Sequence, residues 1–198
     1  MRDTVADPRG VALTFDDGPH RHGTPATLEC LREAGAIATF FLVGEQVERH
    51  PALAAEIVAA GHGIGVHGQR HRNLLRIGPR QTVDDLRRAH RRIADATGQE
   101  PLFYRPPYGV LSAAALATAR RWGWETVLWA RWGRDWRPRA TAAGIAAEAT
   151  DALQGGEVIL LHDADYYSAA GSWRATVAAL PSILAAIGES ELRTVPLR

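Results

Sequence analysis

Short apolar runs alternate with longer segments of helical spacing along this chain, and this alternation constrains the fold more than any other feature. The candidate strands are Val11–Phe15, Ala38–Val43, Gly63–Val66, Leu102–Tyr104, Glu125–Trp129, Glu157–Leu161 and Arg193–Leu197. The candidate helices start at Thr24-Pro25 and at Pro51, and cover residues 81–97, 112–122, 141–153 and 173–187. Repeated strand–helix alternation predicts parallel βαβ units, and therefore an α/β sheet or barrel.

Composition excludes several classes of function. The formal net charge of +1 gives no overall attraction to nucleic acid or to anionic membranes. All 23 basic residues are arginine, so Schiff-base chemistry on a lysine is excluded. A single cysteine, Cys30, excludes an intramolecular disulfide and a cysteine-based zinc cluster. No segment has the length of a membrane span or the character of a signal peptide. We therefore expect a cytoplasmic protein, or a secreted one whose leader has been removed.

Polar clusters follow five of the candidate strands. They are Asp16-Asp17, His67-Gly-Gln-Arg-His71, Arg105-Pro-Pro-Tyr108, Arg134-Asp135-Trp136 and His162-Asp163. In a parallel α/β barrel the carboxyl ends of the strands share one rim, where active sites are built. The sequence therefore predicts one site that combines these clusters.

Two carboxylates, Asp16 and Asp17, stand side by side where the first candidate strand ends, just before Gly18-Pro19. Asp-Gly-Pro is ordinary turn chemistry, which alone would account for the pair. Successive side chains of an extended strand point to opposite faces, which instead favours two different roles for the two acids.

His67 and His71 are four residues apart, so on a helical turn both imidazoles would lie on one face and could hold one metal ion. Asp17, from another strand end, can supply a third ligand. Three protein ligands leave a position open for water, which is typical of a catalytic site. Because nitrogen and oxygen donors select metals weakly, we expect one divalent ion, zinc first, with cobalt, manganese or nickel able to replace it.

Asp16 would then face the metal-bound water as a general base. His162, from a strand end across the barrel, would protonate the leaving group as a general acid. A metal ion lowers the pKa of bound water and polarises a carbonyl group. These parts predict metal-assisted hydrolysis of an amide or an ester.

The motifs TFDDGP, HxxxH, RPPYG, DW and LLHD occur here in the order and spacing of the polysaccharide deacetylases with the NodB homology domain, carbohydrate esterase family 4. The chain resembles this family from about Val11 to its C-terminus. The resemblance implies a distorted (β/α) barrel of about seven parallel strands, forming a single domain over residues 1–198. It also implies removal of N-acetyl groups from a chitin oligomer, peptidoglycan or a smaller saccharide, or of O-acetyl groups from xylan. We expect a monomer that binds an acetylated saccharide and no nucleic acid.

The resemblance also assigns the reacting groups position by position. Asp16 matches the family's base, and Asp17, His67 and His71 match its metal ligands. His162 matches the catalytic acid.

Further residues match supporting roles in the same family. Arg105 matches the arginine that contacts the base, and Tyr108 the residue whose backbone N–H helps to hold the oxyanion. Asp135 matches the acid that orients the catalytic histidine. Trp136 and Leu161 correspond to walls of the acetate pocket.

Two positions depart from the family pattern. Gly68 stands where a serine or threonine usually stabilises the loop, and we expect modest consequences. Trp132 stands where the fourth motif commonly has an aspartate, and it lies among arginines and tryptophans. An indole in place of a carboxylate is expected to favour a sugar that is hydrophobically substituted or carries an anion. The expected substrate is therefore a short or conjugated N-acetyl saccharide, with a cell-wall polymer as the competing expectation.

Other interpretations of the same residues predict different proteins. Two histidines and a carboxylate also suit a non-haem iron oxygenase, but the strand–helix alternation opposes the antiparallel barrels of those enzymes. An inactive sugar-binding relative would be expected to have lost the base, a ligand or the acid, and all are present. The arginines at 87, 88, 91 and 92 are expected to form a solvated, salt-bridged helix face. Aromatic residues after the last two barrel strands, including Tyr166 and Tyr167, are candidates for stacking on sugars.

Overall fold

The computed structural model describes residues 1–197, which form eight β-strands and seven α-helices. The strands are Gly10–Asp16 (β1), Ala38–Leu42 (β2), Gly63–Val66 (β3), Phe103–Tyr104 (β4), Glu125–Thr126 (β5), Arg131–Trp132 (β6), Val158–His162 (β7) and Arg193–Thr194 (β8). The helices are Gly23–Glu33 (α1), Gly44–Arg49 (α2), Pro51–Ala59 (α3), Pro79–Thr97 (α4), Ala113–Arg121 (α5), Ala142–Thr150 (α6) and Ser172–Glu189 (α7). Short 3-10 turns cover Leu74–Arg76 and Pro107–Gly109. Within these residues, no helix combines the length and apolar character needed to cross a membrane.

Local sequence explains where several helices begin and end. Proline occupies the first turn of α3 and α4, where a missing N–H costs no hydrogen bond. The side chains of Ser112 and Thr141 accept hydrogen bonds from backbone N–H groups at the starts of α5 and α6. Helix α4 ends at Gly98, whose φ of 69° is left-handed and suits glycine.

Parallel pairing joins the strands in the order β5-β4-β3-β2-β1-β7-β6, and β8 pairs with the start of β1. The two edge strands, β5 and β6, do not pair with each other. The N-terminal segment bridges this seam, because Arg2 pairs with Val127 and Thr4 pairs with Glu157. The sheet is therefore a curled, incompletely closed barrel, and the prediction of a distorted barrel of about seven parallel strands is confirmed.

Side chains of the sheet alternate between two apolar clusters. A small cluster includes Ala12, Phe41 and Val158. The larger cluster lies between the sheet and the helices, and it includes Leu13 and Ile159. Because β1 and β7 pair residue for residue, their side chains alternate in phase, which places the ends of both strands at the same rim.

Candidate active site

Asp16 and Asp17 both reach the same small pocket at the carboxyl end of β1. Asp16 is the last residue of the strand, and Asp17 follows it with a φ of 78°, in the left-handed region. This turn breaks the alternation of an extended chain. As a result Oδ2 of Asp16 and Oδ1 of Asp17 each lie 3.6 Å from Nε2 of His67. The two adjacent carboxylates therefore face the same imidazole.

Asp17, His67 and His71 form a group whose candidate ligand atoms all lie within 4.8 Å of one another. Nε2 of His71 lies 3.3 Å from Oδ1 of Asp17. Burial lowers the pKa of both histidines, which keeps their nitrogen lone pairs available. The structure thus brings together the three residues that sequence reasoning selected as ligands.

The donor set fits a bound cation. Oδ1 of Asp17 is buried and has no hydrogen-bond partner among residues 1–197. Burial raises the pKa of Asp17 to about 7, although the charge of His162 acts to lower it. An orphaned carboxylate oxygen beside two neutral imidazoles is the environment that a divalent ion would satisfy.

The segment from His67 to His71 is an irregular loop, so the expected helical turn is wrong. Gly68 has a φ of 86°, which a serine or threonine adopts only with strain. The carboxylate of Asp85, on α4, accepts a hydrogen bond of 2.7 Å from the backbone N–H of Gln69. The two imidazoles therefore meet because α4 holds the loop, and helical spacing is not the cause.

Arg105 is fully buried beside the proposed base. Its Nη1 donates to Oδ1 of Asp16 and to Oγ1 of Thr14, at 2.8 Å each. Its Nε and Nη2 donate to the carbonyl oxygens of Val127 and Leu128. Five donors in a planar group suit this fixed arrangement, which holds a positive charge against Asp16. Sequence reasoning missed Thr14, although strand alternation places it on the same face as Asp16.

His162 lies at the end of β7, directly opposite Asp16 in the pairing register. Its Nδ1 is 2.9 Å from Oδ1 of Asp135, and Oδ2 of Asp135 accepts hydrogen bonds from the His162 backbone N–H and the Thr176 hydroxyl. Burial acts to lower the pKa of His162, but the charge and hydrogen bond of Asp135, with Asp17 and Asp16 nearby, raise it to about 10. His162 therefore carries a proton at neutral pH.

A pocket of about 240 Å³ joins these groups. Trp129, Trp132 and Trp136 line one part of it, with Trp132 37% exposed. The Trp136 ring lies edge-on to His162, 5.6 Å away between centroids. Tyr108 also lines the pocket, has a φ of 60° and places its ring 4.3 Å from that of His71.

The assignment of Leu161 to the pocket wall is wrong by one residue. Leu160 lines the pocket, whereas Leu161 is part of the large cluster between sheet and helices. The reason is strand alternation, since β7 continues to His162 and, of the two leucines, Leu160 shares the face of that histidine and Leu161 does not.

Two further residues complete the surroundings of the site. Tyr167 lines the pocket and stacks on His71, although sequence reasoning treated it only as an aromatic near the last strands. Asp163 is fully buried, accepts a hydrogen bond from the Thr24 hydroxyl, and lies against Gly18. A side chain at Gly18 would collide with that carboxylate. The glycine after the two acids is thus required by packing.

Comparison with known proteins gives one consistent result. The family model for polysaccharide deacetylase matches residues 3–127. A peptidoglycan-N-acetylglucosamine deacetylase of Bacillus cereus is 35% identical over 188 residues, which are 93% of this chain and 84% of that protein. A chitooligosaccharide deacetylase of Bradyrhizobium is 37% identical over 160 residues, covering 80% and 73% respectively. The structure of a family 4 carbohydrate esterase from Streptomyces lividans in complex with acetate matches with a TM-score of 0.85 and 31% identity, covering 96% and 93% of the two chains.

Proposed function

The chain belongs to the polysaccharide deacetylase family, and from that premise we propose that it is a metal-dependent hydrolase that removes N-acetyl groups from amino sugars of a carboxylate-bearing glycan. The observation that carries this proposal is the arrangement around Asp17. A buried carboxylate and two neutral histidines stand between Asp16, paired with Arg105, and His162, which is protonated.

Asp17, His67 and His71 would hold one divalent ion, zinc first, with cobalt, manganese or nickel as alternatives. When bound, such an ion supplies Lewis acidity, which polarises the amide carbonyl and makes water more acidic.

Asp16 accepts the proton of the attacking water. Nη1 of Arg105, 2.8 Å from Asp16 Oδ1, fixes the direction of that carboxylate and places a positive charge against it. His162 donates a proton to the leaving nitrogen, so that amide cleavage yields acetate and a free amine. Asp135 holds the His162 ring and stabilises its positive charge.

The tryptophans at 129, 132 and 136, with Leu160, provide an apolar wall for the acetyl group and the sugar ring. Aromatic faces suit sugar rings because C–H groups pack on them while the hydroxyl groups stay solvated.

A charged depression of about 620 Å³ supports the choice of an anionic glycan. Gln69 and Arg70, from the loop between the two histidine ligands, form part of its lining. Three acidic residues and four further arginines complete the set: Glu45, Glu48, Asp95, Arg49, Arg88, Arg91 and Arg92.

The expected salt-bridged helix face exists only in part. Arg87 pairs with Asp84, and Arg92 pairs with Glu48. Within residues 1–197, Arg88 and Arg91 form no ion pair. Positive charge is therefore left over beside the site, where it would attract carboxylates on the sugars next to the one being deacetylated.

Acetate release from a panel of substrates tests the proposal. The panel contains N-acetylglucosamine oligomers, peptidoglycan fragments of matched length, acetylated xylan and single N-acetyl sugars. We expect release from both N-acetyl glycans, with higher kcat/KM on the carboxylate-bearing fragments and a preference that weakens as salt is added. Release from acetylated xylan alone would replace the proposal with an O-acetyl esterase. No release from any substrate by the zinc-loaded protein would favour an inactive sugar-binding relative.

A further inference from the structure

The two candidate histidine ligands are held in different ways. Nδ1 of His67 donates to the carbonyl oxygen of Arg105 at 2.8 Å, which points Nε2 towards Asp17. Nδ1 of His71 is buried and has no hydrogen-bond partner within the described part of the chain. Metal-binding histidines almost always donate their second N–H to a carboxylate, a carbonyl or water, and this bond fixes the ring. Another contact must therefore orient His71.

Two tyrosine rings contact the His71 imidazole. The Tyr167 ring is stacked on it, with centroids 4.4 Å apart and planes within 15°. The Tyr108 ring meets it edge-on at 4.3 Å, but Tyr108 is 59% exposed and its hydroxyl donates only a long hydrogen bond, 3.5 Å, to the carbonyl oxygen of His71. Of the two rings, Tyr167 is the better anchored.

Helix α2 holds the Tyr167 ring in place. The Tyr167 hydroxyl donates to Oε1 of Glu45 at 2.6 Å and accepts from Nε2 of Gln46 at 2.9 Å. Gln46 is itself buried. The ring is thus fixed at its hydroxyl by α2, while its face rests on the imidazole.

We propose that Tyr167 is a positioning residue for the metal site, holding His71 in its ligand orientation by stacking in place of a hydrogen bond. The inference rests on the proposed function, because it takes His71 as a ligand. Nε2 of His71 lies 3.3 Å from Oδ1 of Asp17, and rotation of the imidazole would move it away. Such rotation would raise the free-energy cost of bringing the three candidate ligands together. The stacked ring restricts that rotation before the ion arrives.

Zinc affinity of the metal-free protein tests this role without using activity. Tyr167→Leu keeps an apolar side chain but removes the planar ring, and we expect zinc affinity to fall by about 10- to 100-fold, as for other groups that orient metal ligands. Tyr167→Phe keeps the ring, and we expect a smaller loss. Affinity is measured by competition with a chromophoric chelator, and folding is checked by circular dichroism.

Tyr166→Leu is the matched control. Tyr166 is the neighbouring residue, but its ring contacts His20 and its hydroxyl lies near His50, so zinc affinity should stay at the wild-type value. A smaller loss of zinc affinity in Tyr167→Phe than in Tyr167→Leu, with both proteins folded, separates loss of the ring from a general loss of structure.

Wild-type zinc affinity in a folded Tyr167→Leu protein would overturn the inference while leaving the proposed function intact. Absence of zinc binding by the wild-type protein would instead overturn the proposed metal site. If Tyr167→Leu does not fold, Tyr167→Met is measured under the same criterion, since it also lacks a planar ring.

Discussion

Nη1 of Arg105 and Oδ1 of Asp16 lie 2.8 Å apart, and at most 4% of either side chain is exposed. The same guanidinium also donates to two backbone carbonyl oxygens and one hydroxyl group. Removing one partner of such a buried pair leaves the other charge uncompensated. The contact therefore bears on both the chemistry and the stability of the protein.

Asp16→Asn should lower kcat by about 10²- to 10⁴-fold, the usual contribution of a general base, while zinc remains bound. Asparagine keeps the shape of the side chain but cannot accept the proton of water. The measurement is kcat together with metal content by elemental analysis. Asp84→Asn, which changes an exposed carboxylate on α4, is the control and should retain full turnover. Near-normal turnover of Asp16→Asn at full metal occupancy would rule out Asp16 as the base.

Arg105→Leu should lower the free energy of unfolding by about 3–5 kcal/mol, because it strands the Asp16 carboxylate in the interior. Urea unfolding of the metal-free protein measures this loss. Arg88→Leu removes an arginine from the surface and should change stability by no more than about 0.5 kcal/mol. Equal losses of unfolding free energy in the two variants would show that the buried pair contributes no more to stability than a surface arginine does.

The pKa of His162, about 10, predicts how stability depends on pH. This value lies above the ordinary 6.5, so protonated His162 stabilises the fold fully below about pH 6.5, and the contribution is lost as pH rises through about 10. The excess unfolding free energy of wild type over His162→Gln, measured without metal, should therefore shrink across this range. An excess that stays constant from pH 6.5 to about 10 would contradict the assigned charge state.

Leu160→Ala and Leu161→Ala form a matched pair on opposite faces of β7. Leu161→Ala should lower the unfolding free energy by about 2–5 kcal/mol with little change in kcat/KM, since it opens a cavity away from the site. Leu160→Ala enlarges the pocket and should lower kcat/KM for the acetylated substrate. Steady-state kinetics and urea unfolding on both variants provide the comparison. The reverse pattern would restore the original assignment of Leu161.

Trp132→Asp introduces the residue that the family commonly has at this position. If the indole disfavours long neutral glycans, the substitution should raise kcat/KM on long N-acetylglucosamine oligomers relative to short ones. Arg134, whose guanidinium lies 5.1 Å from the Trp132 ring centre, would then face a carboxylate. If the wild type prefers the long neutral polymer and the variant has the same preference, the inference that Trp132 disfavours long neutral glycans is wrong.

The sequence predicted the rim because β1 and β7 are apolar runs that end in polar side chains, and β3 is followed directly by His67. It also predicted that Asp17, His67 and His71 lie together, but with the wrong local cause at His67 and His71. A spacing of four residues is shared by helices and by many loops, and the loop here depends on Asp85, which is distant in sequence.

Other features could not be predicted from local sequence patterns. Strand β6 is two residues long, too short for a periodic signal, and so was not predicted. The Tyr167–Glu45 contact joins the segment after β7 to α2, and only the folded chain brings them together. The assignment of Leu161, in contrast, was avoidable, because alternation from His162 already selects Leu160.

The register that sets Asp16 opposite His162 joins residues that are far apart in the chain. Asp16 and the three candidate ligands belong to β1, β3 and the segments that follow these strands, whereas His162 is the last residue of β7. Pairing β7 with β1 requires closing a loop that contains most of the molecule, which is a slow and entropically costly step. In a chain whose β1, β2 and β3 have paired but whose β7 has not yet joined β1, the three candidate ligands would already be close together, while the proposed acid, His162, would not be.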